Sequence, residues 1–180
     1  MSAPLDIPVI KTERLIRRGP QERDFQAFAT FAASERTALV GGPHSRFRSW
    51  GAFLATFGHW AMRGFGIWMM EHRATGATAG RIGMIHQDGW SEPELGWHIY
   101  EGHEGQELAD EGALAARAHA ARHQGLDRVI SHIAADNSRS QALARRLGAQ
   151  RDRDSEARIA TWDPTPVTVW RHAPQPGGQS

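Results

Sequence analysis

The sequence EGHEGQELADEGALAARAHAARHQG, residues 101–125, joins a glycine-containing loop to an alanine-rich helix. Small side chains let a helix lie close to a β-sheet, because the distance between packed elements depends on the side chains at the contact. The expected apolar stripe contains Leu114, Ala118 and Ala121, and Gly125 ends the helix. Free backbone N–H groups at a helix start bind phosphate well. The segment therefore predicts a helix on a sheet, with an anion site at its N-terminus.

The remaining elements follow from the spacing of apolar residues. Phe25, Phe28 and Ala32 have helical spacing, whereas residues 66–100 alternate as strands do. An antiparallel meander followed by a strand–helix–strand crossover predicts an α+β fold, with a mixed sheet and helices on both faces. The predicted order is an extended segment at 12–19, helices at 21–34 and 45–64, three strands within 66–100, the alanine-rich helix, a strand at 126–133, a helix ending at Gly148 and one or two strands, the last at 167–172.

Large apolar residues mark the second predicted helix. The side expected to face the core contains Phe47, Trp50, Leu54, Phe57 and Met62. Three tryptophans in this region are interpreted as packing residues rather than as a stacking platform for a ligand: Trp50, Trp60 and Trp68.

Composition limits the class of protein. A chain of 180 residues, 40% of them hydrophobic, is sufficient for one domain, predicted over residues 1–172 with a disordered tail at 173–180. The formal net charge of +1 and the lack of a run of Lys or Arg argue against nucleic-acid binding. No stretch approaches ~18 apolar residues and the N-terminus lacks a signal-peptide pattern, so we expect a cytoplasmic protein without a membrane span. The lack of cysteine excludes disulfides, thiolate metal sites and a cysteine nucleophile.

Five segments together resemble the GNAT superfamily of N-acetyltransferases, and within it the branch that includes ribosomal-protein N-terminal acetyltransferases. They are KTERLIRR, PELGWHIY, ELADEGALAARAHA, GLDRVISHIAADNSRSQALARRLGA and VTVWRH, which cover most of residues 11–172. The resemblance implies a splayed mixed sheet that holds acetyl-coenzyme A (acetyl-CoA) between two parting strands. It also implies an amine acceptor, either a small molecule or a protein N-terminus, and it allows a homodimer because dimers are common in the family.

The resemblance also assigns cofactor contacts. The family's loop reads Gln/Arg-x-x-Gly-x-Gly/Ala, and the preferred alignment puts Glu104 first, Glu107 at the glycine and Ala109 last. An alternative register makes Gly105 the central glycine but starts the helix about one turn earlier. Asn137 is equally well explained as a helix cap. The implied cofactor-binding residues are Trp97, Ile99, Glu104, Gly105, Gln106, Glu107, Leu108, Ala109, Asn137 and Ser140.

Acidic residues in a phosphate loop are unfavourable. A carboxylate about 6 Å from a phosphate charge is repelled by roughly 3 kcal/mol at an effective dielectric of about 20. A glutamate in a glycine-type backbone conformation adds roughly 1–2 kcal/mol. Against this, each charge-assisted bond from N–H to phosphate contributes about 1.5–3 kcal/mol, and a helix start offers several. We therefore expect Glu104 and Glu107 to weaken the binding of acetyl-CoA without abolishing it.

Acetyl transfer to an amine requires a base, because an ammonium group with a pKa near ~8 to ~10 has no lone pair. Glu94, on the strand PELGWHIY, matches a glutamate that serves as base in several relatives; the alternative is a surface glutamate of that strand. His98, on the same strand face, is expected to assist the base or to line the amine pocket. Trp90, in the loop before Glu94, is expected to form a wall of that pocket. A backbone N–H near Trp97 or His98 would stabilise the developing oxyanion.

Other features favour different readings. Many relatives have a tyrosine that protonates the leaving thiolate at the position that matches Ala144. Because this tyrosine is missing and the phosphate loop is acidic, a second hypothesis is a binding or regulatory module without turnover. His119 and His123 have the i, i+4 spacing of a metal pair, but no third ligand is evident, so we expect a solvated helix face and no metal. No GxSxG motif supports a hydrolase triad.

Overall fold

The computed structural model describes residues 5–161 and 165–175. Two 3-10 segments, Glu22–Asp24 and Glu35–Val40, precede the first two helices. In chain order the strands and helices are β1 (Ile10–Lys11), β2 (Leu15–Arg18), α1 (Phe25–Ala32), α2 (Arg46–Arg63), β3 (Ile67–His72), β4 (Thr78–Ile85), β5 (Glu94–Ile99), α3 (Leu108–Gln124), β6 (Ile130–Ala134), α4 (Ser138–Arg146), β7 (Gln150–Arg151), α5 (Arg153–Ile159) and β8 (Val167–Arg171).

The eight strands of the described residues form one sheet in the order β1-β2-β3-β4-β5-β6-β8-β7. Neighbouring strands are antiparallel except β5 and β6, which are parallel and are connected through α3. Pairing between β5 and β6 is limited to Glu94 opposite Ile130, whereas β4 and β5 pair along the whole of β5. The sheet therefore opens between β5 and β6 beyond Glu94, which is the splay that the resemblance implied.

Helices cover both faces of the sheet, and two consecutive residues of β3 show the division. Met69 packs in a cluster with Phe28 of α1 and Phe53 of α2, whereas Met70 belongs to the cluster that includes residues of α3. Helix α3 lies close to the sheet, since a Cβ atom added at Gly112 would be 2.9 Å from the sulfur of Met70. The predicted fold class, a mixed sheet with helices on both faces, is confirmed.

Helix α2 presents a different face to the core from the one that the sequence predicted. Trp60 packs edge-on against Trp68, with 4.8 Å between ring centroids, and both are core residues as predicted. Trp50 packs on Phe25 at the surface instead. The side expected to be buried is largely exposed: Phe47 (89%), Trp50 (40%), Leu54 (46%) and Met62 (86%). The residues buried in its place are Ser49, Phe53, Thr56 and Trp60.

The predicted stripe of α3 was also misplaced. Leu114 is 54% exposed, although Ala121 of the same predicted stripe is buried. The close approach of α3 to the sheet leaves room for small side chains only, so alanines rather than the leucine face it. The buried alanines are Ala113, Ala116, Ala120 and Ala121.

The C-terminal third contains β7, which agrees with the second of the one or two strands expected there, and α5, which the sequence did not predict. Asp152 caps α5 by accepting a hydrogen bond from the Ser155 amide. The backbone of Gln175 donates to the carbonyl of Asp127 at 3.2 Å, so the start of the predicted tail runs beside the end of α3. Residues 176–180 of that tail, together with residues 1–4 and 162–164 of the predicted domain, lie outside the described residues. Within the described ranges, no helix combines the length and apolar character of a membrane span.

Candidate active site

The N-terminus of α3 presents the amides of the predicted anion site. Helix α3 begins at Leu108, in agreement with the preferred loop register, and Glu107 has a left-handed backbone (φ 56°, ψ 15°) at the position of the family's glycine. In the described part of the chain, the amides of Leu108, Ala109 and Asp110 have no protein acceptor. Three N–H groups at a helix start are therefore available to an anion such as a diphosphate.

Arginine side chains offset the acidic residues around this helix start. The pKa values of Arg14 and Arg146 are raised, mainly by hydrogen bonds to Glu111 and Asp110 and further by the nearby charge of Glu107, which is exposed. The negative charge of the loop is therefore compensated by neighbouring arginines. The repulsion calculated from the sequence did not include this compensation. The ion pairs are Glu104 with Arg36 (2.6 Å), Asp110 with Arg146 (2.9 Å) and Glu111 with Arg14 (2.7 Å).

The gap between β5 and β6 leaves backbone groups of β5 without a strand partner. On this side of β5, the carbonyl of Leu95 accepts a hydrogen bond from the Ser131 hydroxyl at 2.7 Å. Trp97, the next residue with the same backbone orientation, has no partner on β6. Its indole Nε1 donates to Ser140 Oγ at 3.3 Å, and Asn137 caps α4 by accepting from the Ser140 amide at 3.1 Å. An unpaired strand edge and the start of α4 therefore border the gap.

A cavity of about 380 Å³ lies at this gap. The predicted loop residues 104–109 lie outside its lining, at the start of α3, and Ile99 lies at the end of β5. The fold therefore groups the predicted catalytic residues with the predicted α4 contacts and keeps the phosphate loop separate. The predicted site residues that line the cavity are Trp90, Glu94, Trp97, His98, Asn137 and Ser140.

Glu94 is hydrogen-bonded to a residue that the sequence did not single out. Its Oε2 atom lies 2.6 Å from Nδ1 of His132 on β6. Burial raises the pKa of the Glu94 carboxyl group, while the hydrogen bond from His132 acts in the opposite direction. When Nδ1 donates to Glu94, Nε2 of the neutral imidazole keeps its lone pair. In that tautomer the pair can accept a proton at Nε2 of His132.

Trp90 lies beside this pair. Its ring meets the ring of His132 edge-on, with 5.0 Å between centroids, and its carbonyl lies 2.8 Å from Nε2 of His86. His132 falls within the strand predicted at 126–133, but strand alternation gives only the face of a residue and not the neighbour across the sheet. The contact with Glu94 was therefore missed.

His98 lies on the same face of β5 as Glu94 but farther along the strand. The two residues are four positions apart, about 13 Å at the usual strand rise. Nδ1 of His98 accepts a hydrogen bond from Nε of Arg81 at 3.0 Å, and its ring packs on Phe31. Burial, together with the charge of Arg81, holds the pKa of His98 well below its ordinary value, so the ring is neutral near pH 7. A role of His98 beside the base stays a prediction, and its contacts place it in the wall of the cavity.

Two further sequence features have structural explanations. Ala144, which stands where relatives have a tyrosine, is buried and has no acidic group. Tyr100, the one tyrosine of the sequence, is buried in the cluster around Phe28 and so does not supply an acid at the gap. The ring of His119 lies edge-on against Trp68 and burial lowers its pKa, so this residue is only partly solvated, whereas His123 is exposed as predicted. Among the residues described, no group of three or more His, Asp or Glu is arranged to hold a metal ion.

A helix start with free amides, an unpaired strand edge and a carboxylate–imidazole pair define a site for group transfer from a phosphate-bearing carrier. Residues 14–150 match the family model described as an acetyltransferase (GNAT) domain. The chain belongs to this family, as the sequence resemblance predicted. Members of the family use acetyl-CoA, and the protein is accordingly an acetyltransferase.

Solved structures have the same fold. An acetyltransferase from Agrobacterium tumefaciens is 36% identical with a TM-score of 0.82, and the match covers 96% of this chain and 98% of that one. A GNAT-family acetyltransferase from Bordetella pertussis is 25% identical with a TM-score of 0.72, covering 93% and 100% of the two chains. The ribosomal α-N-protein acetyltransferase RimL, solved with coenzyme A, shares the fold at 16% identity (TM-score 0.72, 92% and 98% covered).

Proposed function

We propose that the protein is an acetyl-CoA-dependent N-acetyltransferase that transfers the acetyl group to a primary amine by direct attack, with Glu94, acting through His132, as the general base. The observation that carries the proposal is the hydrogen-bonded pair of Glu94 and His132 in the cavity at the gap. It supplies the proton acceptor that attack by an amine requires. The name of the structural neighbour RimL, an α-N-protein acetyltransferase, supports an amine as the acceptor.

The residues around the gap fit acetyl-CoA, which supplies the acetyl thioester when it is bound. The amides of residues 108–110 suit its diphosphate, because they are unpaired and lie at a helix start. The backbone of Trp97 suits the amide groups of the pantetheine arm, and Asn137 and Ser140 border the same gap from α4. The ion pairs of Glu104 with Arg36 and of Asp110 with Arg146 reduce the repulsion that the loop sequence suggested.

In the proposed mechanism the proton of the attacking amine passes to Nε2 of His132. The 2.6 Å hydrogen bond to Glu94 then stabilises the imidazolium, because a carboxylate in a buried site interacts strongly with a neighbouring positive charge. Trp97 is the residue whose N–H is available to the developing oxyanion. The N–H of Tyr100 donates to the carbonyl of Ala79 on β4. Because residues two apart on a strand have the same backbone orientation, the N–H of His98 also points toward β4 and away from the gap.

The leaving thiolate departs without a protein acid in this proposal. Ala144 is buried and offers no proton, and a thiolate with an ordinary pKa of ~8.5 is a good leaving group near neutral pH. The predicted homodimer and the predicted cytoplasmic location stay predictions.

Titration calorimetry with acetyl-CoA, followed by a thiol-release assay over a panel of primary amines, tests the function. We expect binding and amine-dependent release of thiol from the natural protein. Glu94→Gln serves as the matched control, because the residue lies outside the phosphate loop: it should bind the cofactor normally and release little thiol. Absence of binding at millimolar acetyl-CoA would contradict the proposal, and binding without release for any amine would favour a module without turnover.

A further inference from the structure

We propose that the acceptor carries an anionic group several bonds away from its amine, and that Arg81 binds this group. The inference rests on the proposed N-acetyltransferase activity and specifies the class of its acceptor. Arg81 lies on β4 directly opposite His98 and lines the same cavity as Glu94. Its role depends on its contacts, on the other charges of the cavity and on its distance from the base.

No carboxylate of the described residues neutralises the charge of Arg81. Its Nε donates to His98, which is neutral, and its guanidinium carbon lies 4.8 Å from the centroid of the Phe28 ring. Across the described residues, no carboxylate forms an ion pair with it. Arg18 on β2 shows the contrast, since it pairs with Asp24 at 2.7 Å. Both terminal nitrogens of Arg81 therefore keep free donors beside the cavity.

The cavity is lined by one acidic and one basic side chain. Histidines aside, Glu94 and Arg81 are the ionisable residues among the described cavity lining. An acceptor with one amine and one anionic group is complementary to this arrangement. A polyamine or an aminoglycoside would bring additional positive charge against Arg81, with no second carboxylate in the described lining to receive it.

The positions along the strands determine the spacing of the two groups. Arg81 pairs with His98, whereas Glu94 pairs with Ile85, four residues away on β4. At the usual strand rise, the backbone positions of Arg81 and Glu94 are therefore about 13 Å apart along the strands, before the reach of their side chains is considered. An α-amino acid, whose amine and carboxylate share one carbon, is too short to reach both. The fitting acceptors are an ω-amino acid with several carbons, or a peptide N-terminus with an acidic side chain close behind it.

The test compares pairs of acceptors that differ in a single charge. 6-Aminohexanoate and 6-aminohexanamide have the same length and the same amine, and Ala-Gly-Asp-amide and Ala-Gly-Asn-amide form the matching peptide pair. We expect the natural protein to prefer the acid of at least one pair by about 10-fold to 100-fold in kcat/KM, the range for a hydrogen-bonded charge pair. The pair with the larger ratio identifies the source of the anionic group.

Two variants of Arg81 separate binding of the anion from support of the fold. In Arg81→Met, which keeps an apolar stem over Phe28, the preference for the acidic acceptor should fall to about one. Arg81→Lys keeps a positive charge and should retain much of the preference. Arg122→Met, at an exposed position of α3, is the matched control and should behave like the natural protein.

The outcomes distinguish this inference from the proposed function. Transfer to the neutral and acidic acceptors at equal rates, or a preference that survives in Arg81→Met, would overturn the role of Arg81 and leave the N-acetyltransferase proposal intact. If no amine in either pair or in the wider panel gives thiol release, both proposals fail together. If Arg81→Met does not fold, the ratios of the natural protein and of Arg81→Lys still decide the question.

Discussion

Nδ1 of His132 lies 2.6 Å from Oε2 of Glu94, although the two residues are on different strands and 38 positions apart in the sequence. The hydrogen bond crosses the sheet where β5 and β6 begin to part, beside the cavity that holds the predicted site residues. A carboxylate that is buried and bonded to an imidazole is poised to act on a proton, because its pKa is raised and its partner is oriented.

Substitution of either member of this pair should remove most of the activity. We expect Glu94→Gln and His132→Asn each to lower kcat by about 10²–10⁴-fold, the usual contribution of a positioned base. The double variant should be little worse than either single one, because both residues serve one proton transfer. Glu22→Gln, at an exposed position, is the matched control and should leave kcat unchanged. Additive losses in the double variant would show that the two residues act separately.

The pH profile should report the same pair. Because burial raises the pKa of Glu94, kcat/KM should increase with pH through a step that lies above the ordinary range of a glutamate. A second step near ~8 to ~10 belongs to the free amine. The lower step should be missing from Glu94→Gln, and its persistence there would assign it to another group.

Removal of the Glu107 side chain should tighten the binding of acetyl-CoA. Glu107 has a left-handed backbone at φ 56° and its carboxylate is exposed near the helix start, so the gain from removing its charge is limited to several-fold by screening. Glu107→Ala removes the charge and keeps the Cβ atom, whereas Glu107→Gly also relieves the backbone, which should make it about 1 kcal/mol more stable than the alanine variant. Calorimetry and urea unfolding measure the two effects. Unchanged affinity in both variants would show that Glu107 points away from the diphosphate.

The stability of the protein should decrease in acid because of His172. This residue is 1% exposed and its Nε2 lies 2.9 Å from the Ser131 hydroxyl, and burial lowers its pKa to about 3. In the unfolded chain this histidine takes up a proton below pH ~6.5, whereas in the folded protein it stays neutral until about pH 3. The contribution of His172 to the unfolding free energy is therefore fully present above pH ~6.5 and is lost as the pH falls toward 3. We expect the unfolding free energies of the natural protein and of His172→Gln to converge by up to ~1.4 kcal/mol per pH unit over this window. A difference that does not change with pH would contradict the assignment.

Two glycines that face each other across β4 and β5 should respond differently to alanine. A Cβ atom at Gly83 would lie 2.2 Å from the backbone carbonyl of Gly66, whereas at Gly96 the nearest atom is Glu94 Oε1 at 4.0 Å. Gly83→Ala should therefore lower the unfolding free energy by about 1–3 kcal/mol or more, the cost of overpacking. Gly96→Ala should keep its stability and raise KM for the amine, because the methyl group enters the cavity beside the base. Equal stability losses in the two variants would contradict this account.

Local features of the fold were predictable from sequence. The start of α3 at Leu108, the glycine that ends it at Gly125 and the cap of α4 at Asn137 all depend on bonds between residues close together in the chain. The buried faces of the helices were less predictable. Helix α2 has apolar residues on more than one side, and the face that it buries includes Ser49 while Phe47 is exposed.

The sequence by itself determined the order of most elements, the free amides at the start of α3 and the position of Glu94 on its strand, since these follow from spacing and local hydrogen bonds. Only the tertiary structure decided that His132 meets Glu94, that Arg36 and Arg146 offset the acidic loop and that Arg81 lies beside the cavity with no carboxylate partner among the described residues. These relationships join distant parts of the chain, and the pairing of β5 with β6 and the packing of helices on the sheet create them. Hydrophobic periodicity restricts which face of an element is buried, without fixing it in α2 or α3, and it contains no information about the residue that lies across the gap.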